Sequence, residues 1–323
     1  MRRSPLNVLL DKFLAHLNAY EMGSAPQNLY QPAQYILNLG GKRLRPLLLL
    51  TAGELYGKPP EQLLNAALAI EVFHNFSLVH DDIMDQAPLR RNQATVHHKW
   101  NLNTAILSGD AMLVEAYRLL VSNASPVQLP DALQAFNSMA RQLCEGQQLD
   151  MDFESLERVG RELYLHMIGG KTSVLIGCAL QLGAILANAS ALQANALYQF
   201  GFELGLAFQI MDDYLDAFGD SALLGKQAGG DIIANKQSFL RVLANEIPEC
   251  QPKIKHAFTL SVAQGRVDAV MERYRDFKLN EKTVQIANEH LNSALEYLTQ
   301  ASPQGIPDPL LQELAHKLVA RPF

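Results

Sequence analysis

Two short acidic clusters carry the chemistry of this chain. The first stands in Ser77-Leu78-Val79-His80-Asp81-Asp82-Ile83-Met84-Asp85, followed at once by Gln86-Ala87-Pro88-Leu89-Arg90-Arg91. On a helix at about 100° per residue, Asp81 and Asp85 fall about 40° apart, and Asp82 lies within a turn of both. Carboxylates so close repel one another unless a cation sits over them. Mg²⁺ is usually held by one or two carboxylates, with waters and substrate phosphates completing its octahedron. Arg90 and Arg91 suit bidentate contact with a phosphate. The second cluster, Met211-Asp212-Asp213-Tyr214-Leu215-Asp216, repeats the spacing. With Gln209 its carboxylates fall at i, i+3, i+4 and i+7, on one helix face. One such cluster alone reads equally well as an exposed acidic helix end. Two copies in apolar helices, each with basic residues nearby, point to cation-mediated phosphate chemistry.

Other segments suit phosphate less specifically. In Gly40-Gly41-Lys42-Arg43-Leu44-Arg45-Pro46 the glycines allow close backbone approach, and Lys42 and Arg45 at i, i+3 point the same way. Alone, this segment reads better as a solvated basic turn. His74 lies on the carboxylate side of its helix, where a lone histidine is more often structural. Gly169-Gly170-Lys171-Thr172-Ser173 puts a lysine before a long uncharged stretch, and the Gly-rich run from Gly225 to Asp231 has Lys226 near its start and Lys236 after it. That run reads as a loop closing over phosphates, with a plain surface loop as the alternative.

With these segments in this order, the chain resembles the trans-isoprenyl diphosphate synthases of the polyprenyl synthetase family. The likeness runs by motif from Gly40 to about Lys236, and by helical pattern to the C-terminus. It implies that Asp81, Asp82, Asp85, Asp212, Asp213 and Asp216 hold Mg²⁺, three ions in all, with Mn²⁺ as a substitute. It assigns Lys42, Arg45, His74 and Arg91 to isopentenyl diphosphate. Arg90, Lys171, Lys226 and Lys236 go to the allylic diphosphate. Isopentenyl and allylic diphosphates (dimethylallyl, geranyl or farnesyl) would condense head-to-tail as an allylic cation is attacked by the isopentenyl double bond. Thr172 and Gln209 are neutral dipoles able to stabilise that cation without trapping it. The expected catalytic set is thus Lys171, Thr172 and Gln209. A terpene cyclase or a non-catalytic subunit of a heteromeric synthase are the rival readings. A cyclase would have no use for the isopentenyl set, and such subunits typically lack motifs that are complete here.

Product length is expected to be short, geranylgeranyl first and farnesyl second. Phe76 and Phe73 lie about 7.5 and 12 Å along the helix axis before Asp81. On an ideal wheel Phe76 is about 140° from Asp81, so it is the resemblance that puts it on the wall of the prenyl pocket. An aromatic there, with the small Ser77 next to it and no insertion in the acidic motif, resembles the geranylgeranyl pattern.

These residues need helices to hold them. Of 323 residues, 48% are hydrophobic, enough for a large core. The fold expected is all-α: one domain over residues 1–323, a helical bundle around a central cavity that the two Asp clusters face. The family likeness adds a homodimer. Ser4-Pro5 starts an amphipathic helix, and Pro59-Pro60 opens the long one that ends at Asp85. No strand-like alternation stands out. A net charge of −6 without a basic run makes nucleic acid an improbable partner. Three cysteines without metal-ligand spacing suit a reducing compartment, the cytoplasm. The uncharged stretch from Thr172 to Phe202 carries several amides and reads as two buried helices, not a transmembrane segment.

Overall fold

The computed structural model describes residues 4–219 and 229–319. Among the described residues, apart from one two-stranded hairpin, the regular elements are helical. The residues group into two compact units, Met1–Phe136 with Cys178–Leu197, and Asn137–Gly177 with Tyr198–Phe323.

The first unit is organised around α4, Leu64–Met84. Every residue from Ala66 to Phe73 is buried, the mark of a helix enclosed on all sides. It packs along α6 (Leu102–Asn123) and against α3 (Leu44–Leu55), with α1 (Pro5–Ala19), α2 (Gln27–Asn38) and α5 (Val96–Lys99) around it. Ser4 precedes α1, with Pro5 in its first turn as expected. Pro59-Pro60 does not open α4 directly. A 3₁₀ turn at Pro60–Gln62 comes first, and Leu63 at φ −116° breaks it from the helix proper.

The end of α4 is sharply defined. Gln86 turns left-handed at φ 50°, the Ala87 N–H returns to the Asp82 carbonyl at 2.9 Å, and the Gln86 N–H to Ile83 at 3.2 Å. This is a Schellman stop, and Pro88 follows it. A hairpin comes next, Leu89–Arg90 against Gln93–Ala94. Its two loop residues, Arg91 at φ 51° and Asn92 at φ 61°, make a type I′ turn. The strands are too short to show alternation in sequence, and the turn lacks its usual glycine.

The helices α7 (Leu129–Phe153), α9 (Val174–Leu186) and α10 (Ala191–Phe218) contribute residues to both units. In the second unit, α8 (Arg161–Ile168) passes into a π-helical turn at Gly169–Ser173. After the undescribed residues 220–228 come α11 (Gly230–Ile233), α12 (Phe239–Asn245), α13 (Gln251–Phe258), α14 (Ala263–Asp276), α15 (Leu279–Ala301) and α16 (Pro309–Val319). Its core gathers Ile210, Phe239, Leu240, Leu243, Val270, Tyr274, Leu279 and Ala287. Among the described residues, one stretch, Arg161–Leu186, is long and apolar enough to cross a membrane. Of its most apolar window 78% is buried, as befits a core helix.

Candidate active site

In the first unit the acidic motif occupies the last turn of α4. A helix C-terminus is the negative pole of the macrodipole, so three carboxylates there raise the local demand for positive charge. Asp85 is exposed, Asp81 is half-buried, and Asp82 is 1% exposed. Arg90 meets Asp82 from the hairpin: its Nε lies 2.9 Å from each carboxylate oxygen and Nη2 lies 2.7 Å from Oδ1. Both oxygens of Asp82 therefore accept from the protein.

The glycine–lysine–arginine segment lies between α2 and α3. Gly40 and Gly41 take φ values of 82° and 124°. A Cβ on Gly41 would sit 2.8 Å from Arg91 Nη2, so only glycine lets that guanidinium lie over the backbone, where it donates to the Gly40 carbonyl. Lys42 is exposed. The Arg45 Nη1 donates to His74 Nε2 at 3.2 Å. Burial and then Arg45, Arg91, Arg90 and Arg43 hold the His74 imidazole well below its ordinary pKa. The neutral ring accepts at Nε2 and so carries its proton on Nδ1. Burial, with Arg91 nearby and Glu71 opposing, lowers Arg45 to about 10. Arg45, His74 and Arg91 thus form one cationic cluster, with Lys42 at its exposed edge.

One face of α4 carries a run of rings. Phe76 packs edge-on against Phe73 at 5.4 Å, Phe73 against Phe136 at 5.1 Å, and Phe136 against Tyr117 at 4.9 Å. Phe76 also meets His80 at 4.9 Å. The Ser77 hydroxyl turns back to its own helix and donates to the His74 carbonyl at 2.8 Å.

In the second unit the second acidic motif occupies the last two turns of α10, again at a negative helix pole. Asp212 is exposed, Asp216 is half-buried, and Asp213 is 6% exposed. Asp213 is held from three sides. Its Oδ2 accepts the Phe239 N–H at 2.7 Å and the Tyr164 hydroxyl in a short contact, and its Oδ1 accepts from Gln209 Nε2 at 3.2 Å. Gln209 Oε1 in turn accepts from the Thr172 hydroxyl at 3.1 Å. Burial and the nearby Asp231 push the Asp213 carboxyl up to about 7 against the pull of those donors. The Asp216 side chain accepts the Asp231 N–H at 2.9 Å.

Lys171 sits in the π-helical turn and pairs with Asp150 at 2.6 Å. The turn's backbone lies against Gly146, where a Cβ would come within 2.4 Å of the Lys171 nitrogen. Lys236 is exposed near Asp231, whose carbonyl accepts its N–H at 2.9 Å. Lys226 lies outside the described residues.

Two features escape sequence reasoning. Tyr164 sits in an unremarked helix far from Asp213 in the chain, and no local pattern couples them. Arg43 and Glu71 pair at full burial. The only hint was a glutamate inside the apolar run that precedes Phe73.

Among the described residues, no three His, Cys, Asp or Glu side chains form a ready-made metal cage. The donor set instead fits a hard cation that takes one or two carboxylates per cluster and completes its shell with phosphate oxygens. Asp81 with Asp85, and Asp212 with Asp216, each one turn apart, supply such pairs.

Compared with known proteins, residues 26–274 match the polyprenyl synthetase family. The geranylgeranyl diphosphate synthase of Methanosarcina mazei is 41% identical over 223 residues, 68% of this chain and 68% of that protein. A crystal structure of a geranylgeranyl pyrophosphate synthase, 41% identical, superposes with a TM-score of 0.93 over 98% of this chain and 99% of its own. The geranylgeranyl pyrophosphate synthase of Corynebacterium glutamicum, solved in complex with isoprenyl diphosphate and magnesium, gives a TM-score of 0.81 at 27% identity over 98% of each chain.

Proposed function

The chain belongs to the polyprenyl synthetase family and is a short-chain trans-prenyl diphosphate synthase, and from that premise we propose that it condenses isopentenyl diphosphate with allylic diphosphates in a magnesium-dependent reaction, with geranylgeranyl diphosphate as main product and farnesyl second. The observation that carries the product assignment is the likeness to geranylgeranyl synthases across almost the whole chain, combined with an aromatic at position 76.

Of the six carboxylates expected at Mg²⁺, Asp81, Asp85, Asp212 and Asp216 would hold the metal, three ions in all, whereas Asp82 and Asp213, buried and already accepting from protein donors, would orient the two clusters. Bound magnesium supplies Lewis-acid neutralisation of charge on the leaving diphosphate. Lys171, Lys226 and Lys236 add positive charge there, and Arg90, seated on Asp82 through Nε and Nη2, has Nη1 for the same diphosphate. Lys42, Arg45 and Arg91 clamp isopentenyl diphosphate, and neutral His74 steers Arg45 towards it. Holding both substrates makes a bimolecular step effectively unimolecular. Thr172 and Gln209 place neutral oxygens beside the allylic cation, and the aromatic and aliphatic side chains exclude water that would quench it. With these six carboxylates engaged by metal or by protein donors, the departed diphosphate takes the proton from the carbon next to the cationic centre left by the attack, and the C–H electron pair forms the new double bond.

Residues 1–323 act as one catalytic domain, in a homodimer. Support for the dimer comes from α6, which exposes Leu107, Val114 and Val121 at seven-residue spacing. The free Cys144, Cys178 and Cys250 suit the reducing cytoplasm.

The test is to incubate purified protein with isopentenyl diphosphate, each allylic starter and Mg²⁺, and to size the products. Chains of geranylgeranyl length are expected. Octaprenyl products would overturn the length assignment, and the absence of condensation would overturn the function.

A further inference from the structure

We propose that Arg43 is a positioning residue for the isopentenyl diphosphate subsite: by pairing with Glu71 it keeps that buried carboxylate from capturing Arg45. The inference rests on reading Lys42, Arg45, His74 and Arg91 as that subsite.

Arg43 precedes α3 in the left-handed conformation, φ 48° and ψ 35°. A non-glycine residue is held there at a cost of about 1 kcal/mol, so other contacts must fix it. They are made by its side chain. Nη1 donates to Glu71 Oε1, and Nη2 donates to the Leu37 carbonyl in the last turn of α2, where carbonyls lack intrahelical partners. Glu71 Oε1 also accepts from Asn75 Nδ2 at 3.1 Å, and the same amide donates to the Glu71 carbonyl at 2.8 Å. The Arg43 and Glu71 side chains are each 3% exposed. One guanidinium thus ties α2, the glycine turn and α4 together.

The arrangement repeats one step along. Arg43 and Arg45 are two residues apart, and their partners Glu71 and His74 are one helical turn apart. Arg43 faces a carboxylate, whereas Arg45 faces a neutral imidazole. The first pair is electrically balanced, and the second leaves the charge of Arg45 available to an anion. Glu71 is the carboxylate whose field reaches both Arg45 and Arg91. Without Arg43, a buried unpaired Glu71 would be strongly unfavourable and would draw in the nearest guanidinium. Arg45 would swing from His74 to Glu71 and lose its availability to a diphosphate. Lys42, the residue next to Arg43, would lose its anchor as well.

The experiment compares wild type with Arg43→Met, Glu71→Gln and the double variant. Isopentenyl diphosphate alone is the calorimetric probe, since no turnover occurs without an allylic partner, and KM is then measured for both substrates. Arg43→Met is expected to weaken isopentenyl diphosphate binding at least tenfold while moving the allylic KM less than about threefold. Adding Glu71→Gln, which removes the competing charge, should restore most of that loss, an outcome that mere loss of packing would not give. A double variant no tighter than Arg43→Met overturns the proposal, as does wild-type binding in Arg43→Met. If Arg43→Met does not fold, Glu71→Gln decides. With no carboxylate to draw Arg45 away, binding stays within about threefold of wild type, and a tenfold loss overturns the proposal. Lys42→Ala is the control for the subsite itself: unchanged binding there removes the subsite reading, independently of Arg43.

Discussion

Removing one hydroxyl should shift the pH dependence of the reaction. In Tyr164→Phe, Asp213 keeps the Phe239 N–H and Gln209 but loses its short phenolic donor. A hydrogen bond to a charged group contributes about 1.5–3 kcal/mol, and one pKa unit is about 1.4 kcal/mol. The carboxyl, already at about 7 through burial and Asp231, should rise by roughly one to two further units. At pH 7 its ionised fraction would fall from about half to roughly a tenth or a hundredth. The negative charge beside Asp212 and Asp216 falls with it, and cation binding needs that charge. The acidic limb of kcat/KM, which reports the free enzyme, should therefore move up by one to two pH units. The rate at pH 7 should drop about five- to fiftyfold and recover near pH 9. Metal-free protein gives a second readout. A folded value above the unfolded value of about 3.9 means stability present at low pH and lost as pH rises through about 7. In Tyr164→Phe that loss should continue to higher pH. A uniform drop in rate with the limb unmoved would refute the coupling between Tyr164 and Asp213.

Chelation should abolish turnover, and Mg²⁺ or Mn²⁺ should restore it; Asp81→Ala and Asp212→Ala should each cut kcat by orders of magnitude, and near-normal rates in either would mean that the metal sites are misassigned. Arg91→Ala should raise the isopentenyl KM more than the allylic KM, whereas Arg90→Ala should do the reverse and also lower the melting temperature, since it leaves a buried Asp82 unpaired at a cost of about 3 kcal/mol. Equal effects on both substrates would leave only general phosphate binding. Phe76→Ala should lengthen the product in a chain-length assay, and an unchanged product would remove Phe76 from the pocket wall; Phe73→Ala, at 1% exposure and packed on Phe136, should cost about 3 kcal/mol of stability in addition.

Helical class and the segments that make up the candidate site were legible in the sequence because periodicity and motif spacing are local properties. The long helix through Asp81 and the helix through Asp212 both follow from apolar runs that end in acidic turns. What the sequence hides is non-local or conformational. No spacing rule couples Tyr164 to Asp213. The hairpin that carries Arg90 and Arg91 is too short for alternation to register, and its turn uses Arg-Asn where glycine would signal it. The five-residue turn holding Lys171 breaks α-helical register at Gly169-Gly170, a mark that does not by itself distinguish a π-turn from a plain helix end. Lys226, in the Gly-rich run read from the sequence as a loop over phosphates, falls outside the described residues.

Arg91 and Arg43 both hold φ values near 50°, a region where glycine or asparagine rests more easily. At position 43 the buried pairing with Glu71 offsets that cost, but at position 91 selection for folding and selection for turnover pull in opposite directions. In a variant library sorted only for soluble, folded protein, position 91 should drift towards glycine or asparagine. The same library sorted for product should keep arginine. Related chains that have lost catalysis would be expected to shed the arginine at position 91 early, before any change in the apolar core registers the loss. Retention of arginine at position 91 in the fold-only sort would show that the backbone conformation there exerts no such pressure.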